Sequence, residues 1–291
     1  MQSYSIDQFA QITGLNKILI RTWENRYNFI TPNRTSTNIR TYDVHMLTKG
    51  IKYAILVNAG HKISKLITYN NIEINNLIKN TLNTTKNYNT KNAIYISKFV
   101  ESALHLNQKI FSKAYKSCIA EYGFKEFYKE IIIPTMNRIG ILFLNSKITP
   151  VHEHFMSENI RIKIANEIEK TKNNPLETTR PWVLFLPEHE FHDIGLLFTY
   201  LILKQNNQKV IYIGQNTPIE SLTEFNKHHN LLCFLNTKKS QENLAEMNIL
   251  FAKEFQKSFI YIVTNQRQSF SKAKNIKHLH KIEELEMILK G

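Results

Sequence analysis

The groups best suited to chemistry lie in one short stretch, Pro187-Glu188-His189-Glu190-Phe191-His192-Asp193-Ile194-Gly195. Two imidazoles and three carboxylates follow directly on the apolar run Trp182-Val183-Leu184-Phe185-Leu186, at the point where a helical pattern begins. The loop after a first strand, opening a helix, is where a doubly wound sheet receives its ligand. By spacing alone His192-x-x-Gly195 is a weak motif, and a metal-free histidine at a helix N-terminus reads the same. His152, His189 and the pair His228-His229 read as surface residues, because none falls at zinc-ligand spacing beside Cys118 and Cys233. No carboxylate pair, nucleophile–base set or Gly-x4-Gly-Lys phosphate loop can be picked out, so nothing here argues for an enzyme.

A second group is cationic. Arg21 and Arg26 flank Trp23 in a helical pattern from Lys17 to Tyr27, which follows the turn Thr13-Gly14-Leu15-Asn16. A helix fits the major groove of DNA, where an arginine can pair two ways with guanine or bind phosphate. Ahead of the turn, Tyr4 to Ala10 opens a first short helix with Ser5 as its N-cap. Phe9 and Ile18 or Leu19 are placed to pack between the two helices. Thr31-Pro32-Asn33-Arg34 through Asn38-Ile39-Arg40-Thr41-Tyr42 reads as a β-ribbon wing with two further arginines. Trp23 belongs to the core of this small domain, and Glu24 to an ion pair with an arginine of its own helix or of the wing.

Three textures position these groups. The first runs to about residue 70 and holds nine Lys and Arg against Asp7, Glu24 and Asp43, a net +6. Asn70 to Asn92 is heavy in Asn, Thr and Lys and reads as a linker. From Ala93 to Lys170 apolar residues recur at helical steps, with Pro134 expected to kink or end one helix, which suggests a four-helix bundle. Beyond Pro181 four strand-like runs, Trp182–Leu186, Val210–Ile213, Leu231–Leu235 and Phe259–Val263, alternate with helical patterns at Ile194–Leu203, Ile219–His228 and Glu242–Phe255. Such alternation indicates βαβ units and a parallel sheet. The expected fold class is therefore multidomain α/β: a winged helix-turn-helix, a four-helix bundle and a doubly wound, flavodoxin-like sheet. The expected divisions are 1–72, a linker at 73–92, a bundle at 93–172 and the sheet domain at 180–291.

Composition limits the setting. The 291 residues carry 38 Lys and Arg against 24 Asp and Glu, a formal +14, with 42% apolar residues. That is ordinary for a globular protein and favours a polyanionic partner only where the charge clusters, as it does at the N-terminus. Two cysteines 115 positions apart give no disulfide scaffold and fit a reducing cytoplasm. No apolar run reaches the ~18 residues of a membrane span, and MQSYSIDQFAQITG lacks the marks of a signal peptide.

Residues 3 to about 68 resemble the winged-helix DNA-binding domain of the MerR family: Arg21-x-Trp23-Glu24-x-Arg26-Tyr27, Pro32-x-Arg34, Arg40-x-Tyr42, a helix from Asp43, and Gly60 before Ile63. The resemblance implies DNA contacts from Arg21, Arg26, Arg34, Arg40 and Tyr42. Asn28 stands where relatives usually carry Gly, and Asn tolerates the left-handed conformation needed there. The rest of the chain resembles cobalamin-binding sensors. Phe143, nine residues, then Glu153-His154 looks like their helical cap, with Gly140 fitting it too. Val210-Ile-Tyr-Ile-Gly214-Gln-Asn-Thr217-Pro218 looks like their second strand and loop.

The assembled chain is similar to MerR-type regulators with a fused cobalamin-binding sensor, a group that includes light-responsive repressors. The resemblance implies His192 as the lower cobalt ligand, its far nitrogen oriented by Glu190 or Asp193. It implies Phe143, Glu153 and His154 on the upper face, and Gly195 and Thr217 beside the cofactor, an adenosyl- or methylcobalamin. It also implies an operator duplex, a homo-oligomer (dimer or tetramer) and RNA polymerase at the promoter as partners, in the cytoplasm and away from membranes. The sequence departs from the pattern in several places. Phe143 replaces a Trp, and Leu144 stands where photoreceptor relatives often carry a second histidine able to take the cobalt. Thr264-Asn265-Gln266-Arg267 replaces a Gly-Gly pair near the nucleotide tail, and Asn236-Thr237 a Ser-containing turn. Two alternatives stay open: the same regulator with a cofactor-free sensor used for oligomerisation, and a corrinoid carrier module of an enzyme, against which the DNA reader counts.

Overall fold

Alternation within each apolar run decides how the C-terminal half packs. In the computed structural model, which describes residues 3–144, 149–177, 179–265 and 273–290, the chain divides into two compact units, Met1–Glu158 and Asn159–Gly291. The side chains of Ile141, Phe143 and Leu144, and the whole of 266–272 with Arg267, lie outside the described residues.

The first unit opens with α1 (Ile6–Thr13). The Ser5 hydroxyl accepts from the Gln8 N–H at 3.4 Å, and the Gln8 side-chain oxygen accepts from the Ser5 N–H at 2.7 Å, a capping box. Gly14, at φ +76°, stops the helix, and Asn16 caps α2 (Lys17–Tyr27) through the Leu19 N–H. Asn28 ends α2 at φ +47°, the left-handed turn expected of it. Phe9, Leu15 and Ile20 are buried, whereas Ile18 is 77% exposed and does not pack between the helices as expected. Short strands β1 (Asn33–Arg34) and β2 (Arg40–Thr41) pair antiparallel as the wing, and Tyr42 bridges back to Tyr4. The helices α3 (Val44–Asn58) and α4 (Ile63–Leu66) follow.

The expected linker is instead helical. α5 (Asn71–Thr84) starts with a capping box between Asn70 and Glu73 and buries Ile74, Ile78 and Leu82, one stripe at four-residue steps. Only residues 85–87 break it before α6 (Tyr88–Leu104). Polar composition hid this helix because three apolar residues suffice when a neighbour covers them. α7 (Gln108–Glu126) is interrupted at Gly123 (φ +72°), and a π-helical turn over Phe127–Ile132 leads into α8 (Ile133–Leu144). Pro134 thus sits in a first turn, where its missing N–H costs little, and the expected kink is taken up by the π turn before it. Phe99 of α6 lies 5.3 Å from Phe111 and 5.7 Å from Phe127 in the core of this helical region.

α3 of the DNA reader packs on α6, and Lys52 pairs with Glu101 at 2.8 Å while the Thr48 hydroxyl meets His105 Nε2 at 3.1 Å. Reader and helical region therefore form one compact unit, and the boundary between units falls inside α9 (Pro150–Lys170).

The second unit is a parallel sheet. Its strands are β3 (Trp182–Pro187), β4 (Val210–Thr217), β5 (Asn230–Leu235), β6 (Phe259–Thr264) and β7 (Ile276–Leu279), the last not expected from the sequence. Their order β4-β3-β5-β6-β7 is the doubly wound arrangement. Val183, Phe185, Leu231, Cys233, Ile260 and Ile262 face one core, with Leu244, Met247 and Phe251 of α12 (Leu244–Glu254). Trp182, Leu184, Leu186, Leu232 and Phe234 face the other, with Leu196 and Leu203 of α10 (Ile194–Gln205) and Leu285 of α13 (Ile282–Lys290). The central strands β3 and β5 read as unbroken apolar runs because both their faces are covered, whereas edge strand β4 leaves Ile211 and Ile213 exposed. A helix was expected over Ile219–His228, but that stretch forms a 3-10 turn, Ile219–Phe225, while Lys238–Glu242 forms the short α11.

Candidate functional site

β3 ends at Pro187, and the chain turns through His189 at φ +64° before α10 starts. The loop is held from both sides. Near the end of β4, Asn216 accepts from the His189 N–H at 2.9 Å, and Gln215 donates to the Phe191 carbonyl at 2.8 Å. Beyond β5, Asn236 donates through Nδ2 to the His192 carbonyl at 3.1 Å.

Glu190, fully buried, organises this loop. Its Oε1 lies 2.7 Å from His192 Nδ1 and accepts from the backbone N–H groups of Phe191 and His192. Its Oε2 accepts from the Asn236 N–H (2.9 Å), the Thr237 N–H (3.0 Å) and the Ser240 hydroxyl (2.7 Å). Burial pushes the carboxyl up, but the hydrogen bonds from His192, Ser240 and the Thr237 and His192 N–H groups outweigh it and hold Glu190 well below the usual carboxylate range. A carboxylate can only accept, so Nδ1 carries the proton and Nε2 is the nitrogen a metal would take.

Either acidic neighbour could have oriented His192. The structure chooses Glu190. Asp193 is taken by Arg161 of α9, whose Nε (3.1 Å) and Nη2 (2.7 Å) both donate to the same Asp193 oxygen. Ser240 and Arg161 were missed by sequence reasoning. Thr237, three residues before Ser240 at the N-cap of α11, is the only local sign of the first, and nothing local marks the second.

The remaining expected residues have plainer parts. A Cβ on Gly195 would lie 3.0 Å from the Phe234 ring, so its lack of a side chain lets α10 close on β5. Thr217 is buried at the end of β4 with its hydroxyl 3.5 Å from the Gly214 carbonyl. Glu153 and His154 stand on α9 in the first unit, 3.7 Å apart between Oε2 and Nε2. Phe143 lies in the last turn of α8, its side chain outside the described residues.

In the DNA reader, Lys17, Ile18, Arg21, Thr22 and Asn25 share the exposed face of α2, with Arg26 beside them over the Tyr27 ring. Arg34 is exposed on the wing, its guanidinium bonded to Asn38. Tyr42 corrects the expectation. It is fully buried, and its hydroxyl donates to Glu24 Oε1 at 2.5 Å, so it cannot reach DNA. Burial and then that hydrogen bond push the phenol far up. Arg40 donates from Nε to the other Glu24 oxygen at 3.0 Å and is only partly exposed. Glu24 thus pins the wing to α2, the ion pair expected of it.

Comparison with known proteins finds family models for the DNA reader and for the helical region that follows it. The family model "MerR HTH family regulatory protein" matches residues 4–63, and "B12 binding domain" matches residues 95–166. The chain joins a MerR HTH domain to a B12 binding domain. It is 26% identical over 228 residues to the HTH-type transcriptional repressor CarH of Myxococcus xanthus, covering 76% of this chain and 74% of that one. It is 20% identical over 217 residues to the repressor CarA of the same organism, covering 75% and 70%. The Methanosarcina barkeri monomethylamine corrinoid protein shares the fold, at TM-score 0.56 and 15% identity over 68% of this chain and 99% of that one.

The donor set fits a cobalamin. His192 is exposed and its Nδ1 is fixed by buried Glu190, so it offers one oriented imidazole nitrogen, the ligand suited to a metal already held in a macrocycle.

Proposed function

We propose that the protein is a transcriptional repressor whose C-terminal half takes an adenosyl- or methylcobalamin as its signal. One observation carries this reading: a MerR HTH domain shares its chain with a loop in which a buried carboxylate fixes one nitrogen of an exposed imidazole. His192 would hold the cobalt through Nε2, while Glu190 keeps the tautomer and Ser240 with the Asn236 and Thr237 N–H groups keeps Glu190 charged. Bound cobalamin would supply a cobalt able to take a histidine nitrogen and, in its adenosyl form, a light-sensitive bond. Glu153, His154 and Phe143 would contribute to its pocket from the helical region. Arg21, Arg26 and Arg34 contact the operator, while Arg40 and Tyr42 support the wing through Glu24.

The cofactor alters DNA affinity only by binding two arrangements of the chain unequally. A homo-oligomer, in the cytoplasm, places more than one reader on an operator and can bar RNA polymerase from the promoter. No helix among the described residues is long and apolar enough to cross a membrane.

Absorption spectra of the full chain, desalted after incubation with adenosyl- and hydroxocobalamin in the dark, test the reading together with mobility shifts on promoter DNA. Retained corrinoid that changes the shift is the expected result. No retained corrinoid, with DNA binding intact, favours the cofactor-free sensor.

A further inference from the structure

A parallel sheet puts all strand starts on one edge and all strand ends on the other, and here the two edges differ in charge. The ends carry the His192 loop. Among the described residues, the segments at that edge (187–193, 218–221, 236–243, 265 and 280–284) hold three Lys against seven Asp and Glu, a net −4. The segments at the starts (170–181, 204–209, 224–229, 253–258 and 273–275) hold nine Lys and Arg against three Glu, a net +6. That equals the net charge of the whole DNA reader.

The register spaces this charge. Trp182 pairs with both Val210 and Asn230, Asn230 with Phe259, and Ile260 with Ile276, so every strand begins at nearly the same level. Each is preceded within three residues by a cation: Lys209, Arg180, Lys227, Lys257 and Lys274 in the spatial order of the strands. Five strands at about 4.8 Å apart make a row about 19 Å long. Lys227, Lys257 and Lys274 are exposed. Arg180 lies 4.6 Å from the centroid of the Phe259 ring, and Lys209 is tethered to the Glu177 carbonyl at 3.0 Å, so both charges are held at the edge.

We propose that this edge is a second DNA-contact surface that binds the phosphate backbone without regard to sequence. DNA carries one charge per about 1.7 Å of axis with both strands counted, so a duplex stretch of this length holds on the order of ten phosphates, enough for the cations of the row to meet those on the near side. The surface holds DNA beyond the base pairs read by α2 and the wing, and it lies at the opposite end of the sheet from His192. This inference rests on the DNA-binding reading above.

The test uses the full chain and a labelled duplex of about 60 base pairs, with affinity followed by anisotropy across a salt series. The variants are Lys227→Gln/Lys257→Gln/Lys274→Gln and, separately, Arg21→Ala/Arg26→Ala. Each lost phosphate contact lowers the log–log salt slope by about 0.9, so the triple variant should lose about 2–3 from its slope while its circular dichroism stays unchanged. A slope equal to the wild type's overturns the proposal, including the case where the edge serves an acidic protein instead. If the reader variant binds like wild type, it is the DNA-reader assignment that fails, whatever the triple variant does.

Discussion

Arg161 and Asp193 are joined by two donors on one acceptor: guanidinium Nε at 3.1 Å and Nη2 at 2.7 Å from a single carboxylate oxygen. Asp193 directly follows His192 and is buried, so helix α9 is anchored beside the candidate metal ligand.

Removing the arginine leaves a buried carboxylate without its main partner. Arg161→Met should lower unfolding free energy by about 1.5–3 kcal/mol. Asp193→Asn should cost less, because the amide still offers an oxygen. Urea denaturation of the three proteins measures the order, and equal midpoints for Arg161→Met and wild type would rule the anchor out.

The Glu24 knot divides the basic residues into readers and supports. Arg21→Ala should weaken operator binding by about 1–3 kcal/mol and leave the melting temperature unchanged. Arg40→Ala and Tyr42→Phe should each lower stability by about 1–3 kcal/mol, since both strip a partner from buried Glu24. Mobility shifts beside thermal melts separate the two effects. A Tyr42→Phe protein with full stability but lost DNA binding would return Tyr42 to the interface.

His192→Ala should abolish a histidine-ligated cobalamin spectrum with helix content intact. Ser240→Ala should keep the ligand but loosen its support, since Glu190 Oε2 retains the Asn236 and Thr237 N–H groups. The expected result is a smaller histidine-bound fraction at equal corrinoid content, read from absorption and spin-resonance spectra. Identical spectra for Ser240→Ala and wild type would remove Ser240 from the site.

Leu144 cannot ligate a metal, and Phe143 is smaller than the residue whose place it takes in relatives. Illumination of an adenosylcobalamin complex should therefore change operator affinity weakly and yield no stable cobalt with histidine on both faces. Spectra and mobility shifts before and after light check this. A two-histidine product that disappears on His154→Ala would make His154 the switch.

Local chemistry made much of this protein legible in one dimension. Ser5, Asn16 and Gly14 mark helix ends through their own backbones, and Asn28 keeps the turn Gly would make, so the helix-turn-helix could be read at single-residue scale. The apolar runs at 182, 231 and 259 likewise declared parallel strands, because a strand covered on both faces has no polar alternation to keep; the run at 210 is apolar too, although its outer face is exposed. What failed also has a local cause: α5 looks like a linker because its stripe is only three apolar residues wide, and β7 is too short to stand out.

Side-chain assignments at the sites needed the tertiary structure. From the sequence His192 and the exposed face of α2 were placed, but Glu190 and Asp193 were equal candidates for the orienting carboxylate. The choice is made by Ser240 and the N–H groups of Asn236 and Thr237 on one side and by Arg161 on the other, all more than thirty positions away in sequence. Tyr42 is likewise a core residue because the fold brings Glu24, eighteen positions earlier, to its hydroxyl and Phe9 to its ring. Propensity and periodicity are properties of neighbours along the chain; the charge and tautomer of a buried group depend on which distant donors the fold brings to it.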